Sequence, residues 1–400
     1  MKTTQKWDIR ELEVETMVIA RSSSLLGKIT VLVLFVLCVK TAVALDGSGT
    51  QEDPWRIKSL EDFNDFAADA NYWAGFTRLE TDVNLAGKIY STAVIAMDMN
   101  SSEYYFQGTK FTSAFDGNDH KIMNLTIDDG GAGRDFVGLF GYIIEDGEVR
   151  NLGLEGGSVS GGRYVGGLVG ANSGSVSNCY YTGDVSGGSW DVGGLVGLNR
   201  GSISNCYFAG AVSGHDVVGG LVGYDDGSIL NSYSTSSVSG GENVGGLVGI
   251  NWGIVSNCYS TDSVNGNGSY VAGMVGANAG SVSNCYSIGD VNGVAGLVGV
   301  NYSDGSASDC FWDTDTQTHS VTNSIGYNEG TTTNVAGLPT SQLHQQSTFT
   351  NWNFIDIWNI GENQTYPYLR TYLAADLNKD GIVNFLDLSI TANQWMEGAE

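Results

Sequence analysis

Residues 165–180 read VGGLVGANSGSVSNCY, and the middle of the chain repeats this stretch with little change. The tetrad GLVG begins at Gly167, Gly194, Gly220, Gly246 and Gly296, with GLFG at Gly138 and GMVG at Gly273. Successive starts lie 29, 27, 26, 26, 27 and 23 residues apart, so seven copies occupy residues 136–311. Within each copy, short β-branched runs alternate with Gly, Asn and Ser, and no 3.6-residue apolar period lasts long enough for a helix. A unit of this size cannot bury its own apolar face. It becomes stable when coils stack and each strand pairs with its copy above, about 4.8 Å away. The expected fold is an all-β parallel solenoid.

Val176 and Cys179 are three residues apart, a spacing that would put them on opposite faces of one unbroken strand. Asn178 resolves this if it bends the chain through the left-handed region, which Asn tolerates better than most residues. The same position holds Asn205, Asn231, Asn257, Asn284 and Asp309. Short strands are therefore expected at 165–170, 175–177 and 179–182, with Asn side chains bonding along the column.

The neighbouring file is Cys179, Cys206, Ser232, Cys258, Cys285 and Cys310, continued backward by Leu152 and Leu125. Leu, Cys and Ser share a fit to a tight inward slot, and buried Cys behaves as a small hydrophobe. A local disulfide such as Cys179–Cys206 is the alternative. In-register Cβ atoms about 4.8 Å apart exceed its usual span, and zinc needs ligands converging on a point. The next file, Tyr180, Tyr207, Tyr233, Tyr259 and Tyr286, should face outward, either as a stripe that binds sugars or protein or as a ladder stacked on itself.

The chain carries 44 acidic and 18 basic residues, a formal charge of −26, with only Arg163 and Arg200 as cations between Asn151 and Cys310. Such a surface repels phosphate backbones, so nucleic acid is not an expected partner. Ile29–Val39 is an apolar run preceded by Arg21 and Lys28 and followed by Ala42-Val43-Ala44, the pattern of an export signal over 1–44. The run falls short of the ~20 residues needed to span a bilayer, so no membrane span is expected after signal cleavage. The expected location is secreted, extracellular or at the cell surface.

The consensus GGLVGxNxGS[VI]SNCY resembles the GLUG-motif repeat of bacterial secreted and surface proteins. DGSGTQEDPWRI and FDGNDHKIMNLTI before it resemble the opening coils of the right-handed β-helices that carry such repeats. The likeness covers 46–311 and implies a right-handed parallel β-helix (β-solenoid) in adhesins or in appendages of larger enzymes. Ser59-Leu60-Glu61-Asp62 opens a helix of capping-box type, with Leu60, Phe63, Phe66 and Ala67 on one face, suited to cap the first coils of a 45–135 region. Residues 312–372 carry Trp312, Trp352, Trp358 and Tyr366-Pro367-Tyr368 and are expected to close the far end.

DLNKDGIVNFLD, residues 376–387, matches a 12-residue calcium loop. Its oxygen ligands would be Asp376, Asn378, Asp380, the Ile382 carbonyl, Asn384 and Asp387, with Gly381 at the sharp turn. Asp rather than Glu at the last position resembles a dockerin type I repeat. Residues 373–400 hold one such unit where a complete dockerin has two, so a cohesin-like partner is an expectation that the single unit weakens. A following helix would present Phe385, Leu388, Ala392 and Trp395.

Catalysis is the rival to binding, since β-helices host polysaccharide lyases and glycoside hydrolases. Facing carboxylates or a cationic base would be required. The coils offer His215, Asp216 and Asp225-Asp226 singly, and Asp313 and Asp315 read as a solvated acidic turn. The sequence thus points to a non-catalytic secreted solenoid that contacts an extracellular glycan or protein surface and carries calcium.

Overall fold

The computed structural model describes residues 44–100 and 105–370. The export segment and the 376–387 calcium loop lie outside the described residues. The chain winds into a parallel β-solenoid of eleven turns, traced by eleven in-register strands from Trp55–Ile57 to Thr331–Leu338.

One coil shows how the sequence produces the turn. Its strands are Val165–Gly166, Val169–Asn172, Ser175–Ser177, Tyr180–Tyr181 and Asp184–Gly187. The stretch 165–170, expected as one strand, breaks at Gly167-Leu168. Val165, Leu168 and Val169 are all fully buried, and a flat strand cannot send all three to one face. The V-S-G tail supplies a strand that the expected pattern lacked. Each strand pairs with its copy one coil on, so Val176 lies over Ile203 and Ile203 over Ile229.

The corner column takes the expected left-handed backbone, but its side chains bond along the file only in places. Asn178 Nδ2 donates to Asn151 Oδ1 at 3.1 Å and Asn284 Nδ2 to Asn257 Oδ1 at 3.4 Å, whereas the buried Asn231 Oδ1 has no partner. Asn178, Asn205, Asn231, Asn257, Asn284 and Asp309 all have φ between 48° and 55°. Cys179, Cys206, Cys258, Cys285 and Cys310 are free and buried. Each buried sulfur has a polar partner as well: Cys179 Sγ donates to Ser177 O at 3.1 Å and Cys206 Sγ to Ser204 O at 3.2 Å. Ser232 makes the same bond to Leu230 O at 2.7 Å, which explains why serine replaces cysteine in that coil. Burial pushes the thiols of Cys179 and Cys285 well above their ordinary pKa, so they remain protonated and unreactive.

The first glycine of the tetrad is a space requirement. A Cβ on Gly167 would sit 1.9 Å from the Tyr181 ring, and one on Gly194 2.3 Å from Phe208. The coil interior is too narrow for two side chains at that level.

Helix α1, Leu60–Ala68, forms where the sequence places it, with Ser59 Oγ accepting from Asp62 N at 3.1 Å. Phe63 and Phe66 are fully buried, and Phe66 packs on Phe115 at 5.6 Å. At the other end the stack runs one turn past Phe311, through Thr331–Leu338. Residues 339–370 then fold back along the flank. Asp313 is fully buried there, not solvated. Its carboxylate accepts from Thr340 Oγ1 at 2.6 Å and the Tyr366 hydroxyl at 2.5 Å, tying the returning segment to the last coils.

Alanine at Asn205 should cost about 1–2 kcal/mol, because a Cβ without a locally bonding polar group disfavours the left-handed corner. Glycine there should cost less, since glycine adopts that conformation freely. Urea unfolding of N205A and N205G checks the order, and equal losses would remove strain at the corner as the cause.

Candidate binding surface

The tyrosine file stacks as a column. Ring centroids from Tyr180 through Tyr207, Tyr233 and Tyr259 to Tyr286 are 4.8, 5.0, 4.7 and 5.1 Å apart, with planes within 10° of parallel. Ring faces are therefore occupied by neighbouring rings. Tyr180 closes one end over Gly153, where a Cβ would come within 2.5 Å of the ring. At the other end Tyr366 stacks on Tyr286 at 6.1 Å, Trp358 lies beside Tyr259 and Tyr286, and the Tyr286 hydroxyl donates to Pro367 O at 2.7 Å. Tyr286 is 3% exposed. What the stripe offers a ligand is ring edges and hydroxyls, chiefly at half-buried Tyr180 and Tyr207. Burial raises both phenols, with the Glu155 carboxylate adding to the shift, so they stay neutral donors.

The Tyr180 end of this column meets a charged cluster that sequence reading missed because its members come from different coils. The Tyr180 hydroxyl donates to Glu155 Oε1 at 2.9 Å, and Lys121 Nζ pairs with the same oxygen at 2.7 Å. Asp82 accepts from Lys121 N at 3.0 Å and pairs with His120 Nδ1 at 3.1 Å. These groups are one-third to one-half exposed, so their ion pairs are screened and add little stability.

A different edge of the solenoid carries a shallow groove of about 520 Å³ lined by His215, Asp216, Glu242, Asn267 and Ser269, with glycines between them. The glycines reflect crowding between coils: a Cβ on Gly241 would lie 2.1 Å from His215 O, and one on Gly268 2.3 Å from Glu242 Cα. Asp216, which the sequence shows without a cation, is held from two sides. His215 Nδ1 lies 3.0 Å from Oδ1, and Trp190 Nε1 donates to Oδ2 at 2.6 Å. The indole so fixed is 53% exposed. Beyond Ser269, Tyr270 meets Tyr302 edge to face at 6.4 Å, and the 58%-exposed Tyr327 donates to Glu329 Oε1 at 2.8 Å. Carboxylates beside anchored aromatic rings can receive a hydroxyl-rich or cationic ligand: the acids accept, and the rings cover apolar C–H faces.

Among the described residues no group of three or more His, Cys, Asp or Glu converges as a metal site. The calcium ligands expected at Asp376, Asn378, Asp380, Ile382, Asn384 and Asp387 lie outside them. Among the described residues, no helix is long and apolar enough to cross a membrane.

The GLUG motif family matches residues 161–186, 188–213 and 240–265 of this chain. Over 136 residues the chain is 35% identical to halomucin of Haloquadratum walsbyi, a match spanning 33% of this chain and 1% of that protein. A crystal structure from Bacteroides ovatus, provisionally assigned as an immunoglobulin A1 protease, superposes with a TM-score of 0.50 at 21% identity. That match covers 81% of this chain and 94% of the other. The chain carries GLUG-motif repeats wound into a β-solenoid.

Truncating Tyr233 to Ala removes a ring stacked on both sides and should cost about 3–5 kcal/mol. The same change at Tyr180, stacked on one side, should cost less. Chemical denaturation of the two variants decides, and a larger loss at Tyr180 would contradict the stacked-column account.

Proposed function

We propose that the chain is a secreted or cell-surface, non-catalytic solenoid that adheres to an extracellular glycan or protein, with residues 373–400 forming one dockerin-like calcium repeat. The observation that carries the binding role is the groove at His215, Asp216 and Glu242, edged by the exposed indole of Trp190. Its chemistry and the chain's charge of −26 favour neutral hydroxyl-rich or cationic groups over anionic ones. The GLUG repeats and the halomucin likeness support a surface or secreted setting. The hydroxyl edge at Tyr180 and Tyr207 is a second contact zone, supported by its partial exposure and its cluster of paired charges.

Screening of wild type on glycan and extracellular-protein arrays should find a ligand whose affinity falls about tenfold or more in W190A and E242Q. Full retention of binding in both variants would move the site off this edge. Release of reducing ends or unsaturated sugars from a polysaccharide by the purified chain would replace adhesion with cleavage. Calorimetry with calcium should give one site, lost in D376A; no binding by wild type would remove the dockerin-like assignment.

A further inference from the structure

The x-N of each GLVGxN segment forms a buried file through the solenoid: Asn172, Asn199, Asp225, Asn251, Asn278 and Asn301, all at most 1% exposed, followed by Asn328. The amides are joined head to tail. Each Nδ2 donates to the next Oδ1: 2.8 Å from Asn172 to Asn199, 2.6 Å from Asn199 to Asp225, 2.7 Å from Asn251 to Asn278 and from Asn278 to Asn301, and 2.8 Å from Asn301 to Asn328. The missing link is Asp225 to Asn251, although the strands hold the two residues in register.

Asp225 uses Oδ1 as Asn199 does, accepting from the preceding amide, Asn199 Nδ2, and from Gly227 N at 3.3 Å. Its Oδ2 occupies the place of the amide nitrogen and has no hydrogen-bond partner. In neighbouring coils that nitrogen also faces the carbonyl two residues on and a carbonyl of the next coil, as Asn199 does with Gly201 O at 3.3 Å and Ser228 O at 3.5 Å. By the same register Oδ2 of Asp225 faces Asn251 Oδ1, Gly227 O and Ile254 O, all acceptors. An ionised oxygen there would meet only lone pairs, a buried charge with no compensating donor. There is little room for a metal: a Cβ on Gly253 would already lie 2.9 Å from Oδ2.

We infer that Asp225 folds as a neutral carboxylic acid whose Oδ2–H donates to Asn251 Oδ1, completing the ladder, so that the middle coils are locked together by a proton taken from solvent. Burial, reinforced by the Asp226 charge, pushes this carboxyl up to about 7. The strands on either side, Val196–Asn199 and Val248–Asn251, and Val217–Gly219 beneath bear no ionisable group. The titratable and charged groups nearby are Asp226 and Tyr224 on its own segment and Arg200 just past the preceding strand. Asp191 stands at the preceding corner, itself raised to about 7 by burial against the opposing pull of Arg200 and Arg163. A carboxyl at about 3.9 unfolded and about 7 folded contributes stability that is whole below about pH 4 and lost as pH rises through about 7. The solenoid's centre is thus firmer in mildly acidic surroundings.

The test is D225N, which supplies the missing amide donor at every pH. Its melting temperature should lie closest to wild type near about pH 4 and exceed it by a few degrees near about pH 8. Asp191 and Asp262, the latter fully buried and likewise raised to about 7 by burial, remain in both chains, so the difference isolates Asp225. In infrared difference spectra at about pH 5, wild type minus D225N should show one protonated-carboxyl C=O band. A melting difference that does not vary with pH, a D225N chain less stable than wild type near about pH 8, or absence of that band would overturn the inference.

Discussion

Every coil of this protein must place the same side chain at the same point as the coil beneath it. That registry is set at one corner, where an Asn or Asp turns the backbone through φ near +50° in coil after coil. The turn lets Val176 and Cys179 both face inward despite their odd spacing, and it aligns the Ser177 carbonyl with the buried thiol. Once the corner repeats, everything else becomes a file: aliphatic residues packed in the interior, sulfurs and one hydroxyl bonded to their own corner, amides linked head to tail, rings stacked outside. Few of these contacts is strong singly. Their effect comes from repetition, since each coil is stabilised by its neighbours rather than by its own core.

The same constraint limits where a ligand can bind. Faces built of stacked identical residues use their surfaces on one another, as the tyrosine column does. Chemical variety appears where the repeat is broken: at the edge where lengths drift between coils and Trp190, His215-Asp216 and Glu242 replace one another, and where the column meets the irregular first coils at Glu155, Lys121 and Asp82. A repeat protein's specificity is expected in its departures from the consensus, and here those departures are acidic and aromatic.

Much of the fold was legible because the repeat is explicit. The solenoid, the left-handed Asn column, the free buried cysteines and helix α1 can all be read from spacing and residue type. Other features were not. The break after Gly166 and the fifth strand depend on how many aliphatic groups must enter a narrow interior, which period counting does not register. Asp313 was misread because its burial comes from Thr340 and Tyr366, far along the chain. The charged cluster at Tyr180 unites residues up to about a hundred positions apart, so no local motif announces it. The amide ladder had a signal in plain view: the N of GLVGxN recurs as regularly as the glycines, and Asp225 is its single acidic member among the buried positions.

Sulfurs in file inside a dry interior are what stacked, in-register coils require, and counting reactive thiols tests this directly. With a water-soluble disulfide reagent, Cys179, Cys206, Cys258, Cys285 and Cys310 should stay unmodified in the folded chain and all react after unfolding without a reducing agent. Rapid labelling of those cysteines in the native protein, or fewer than five free ones after unfolding, would contradict it.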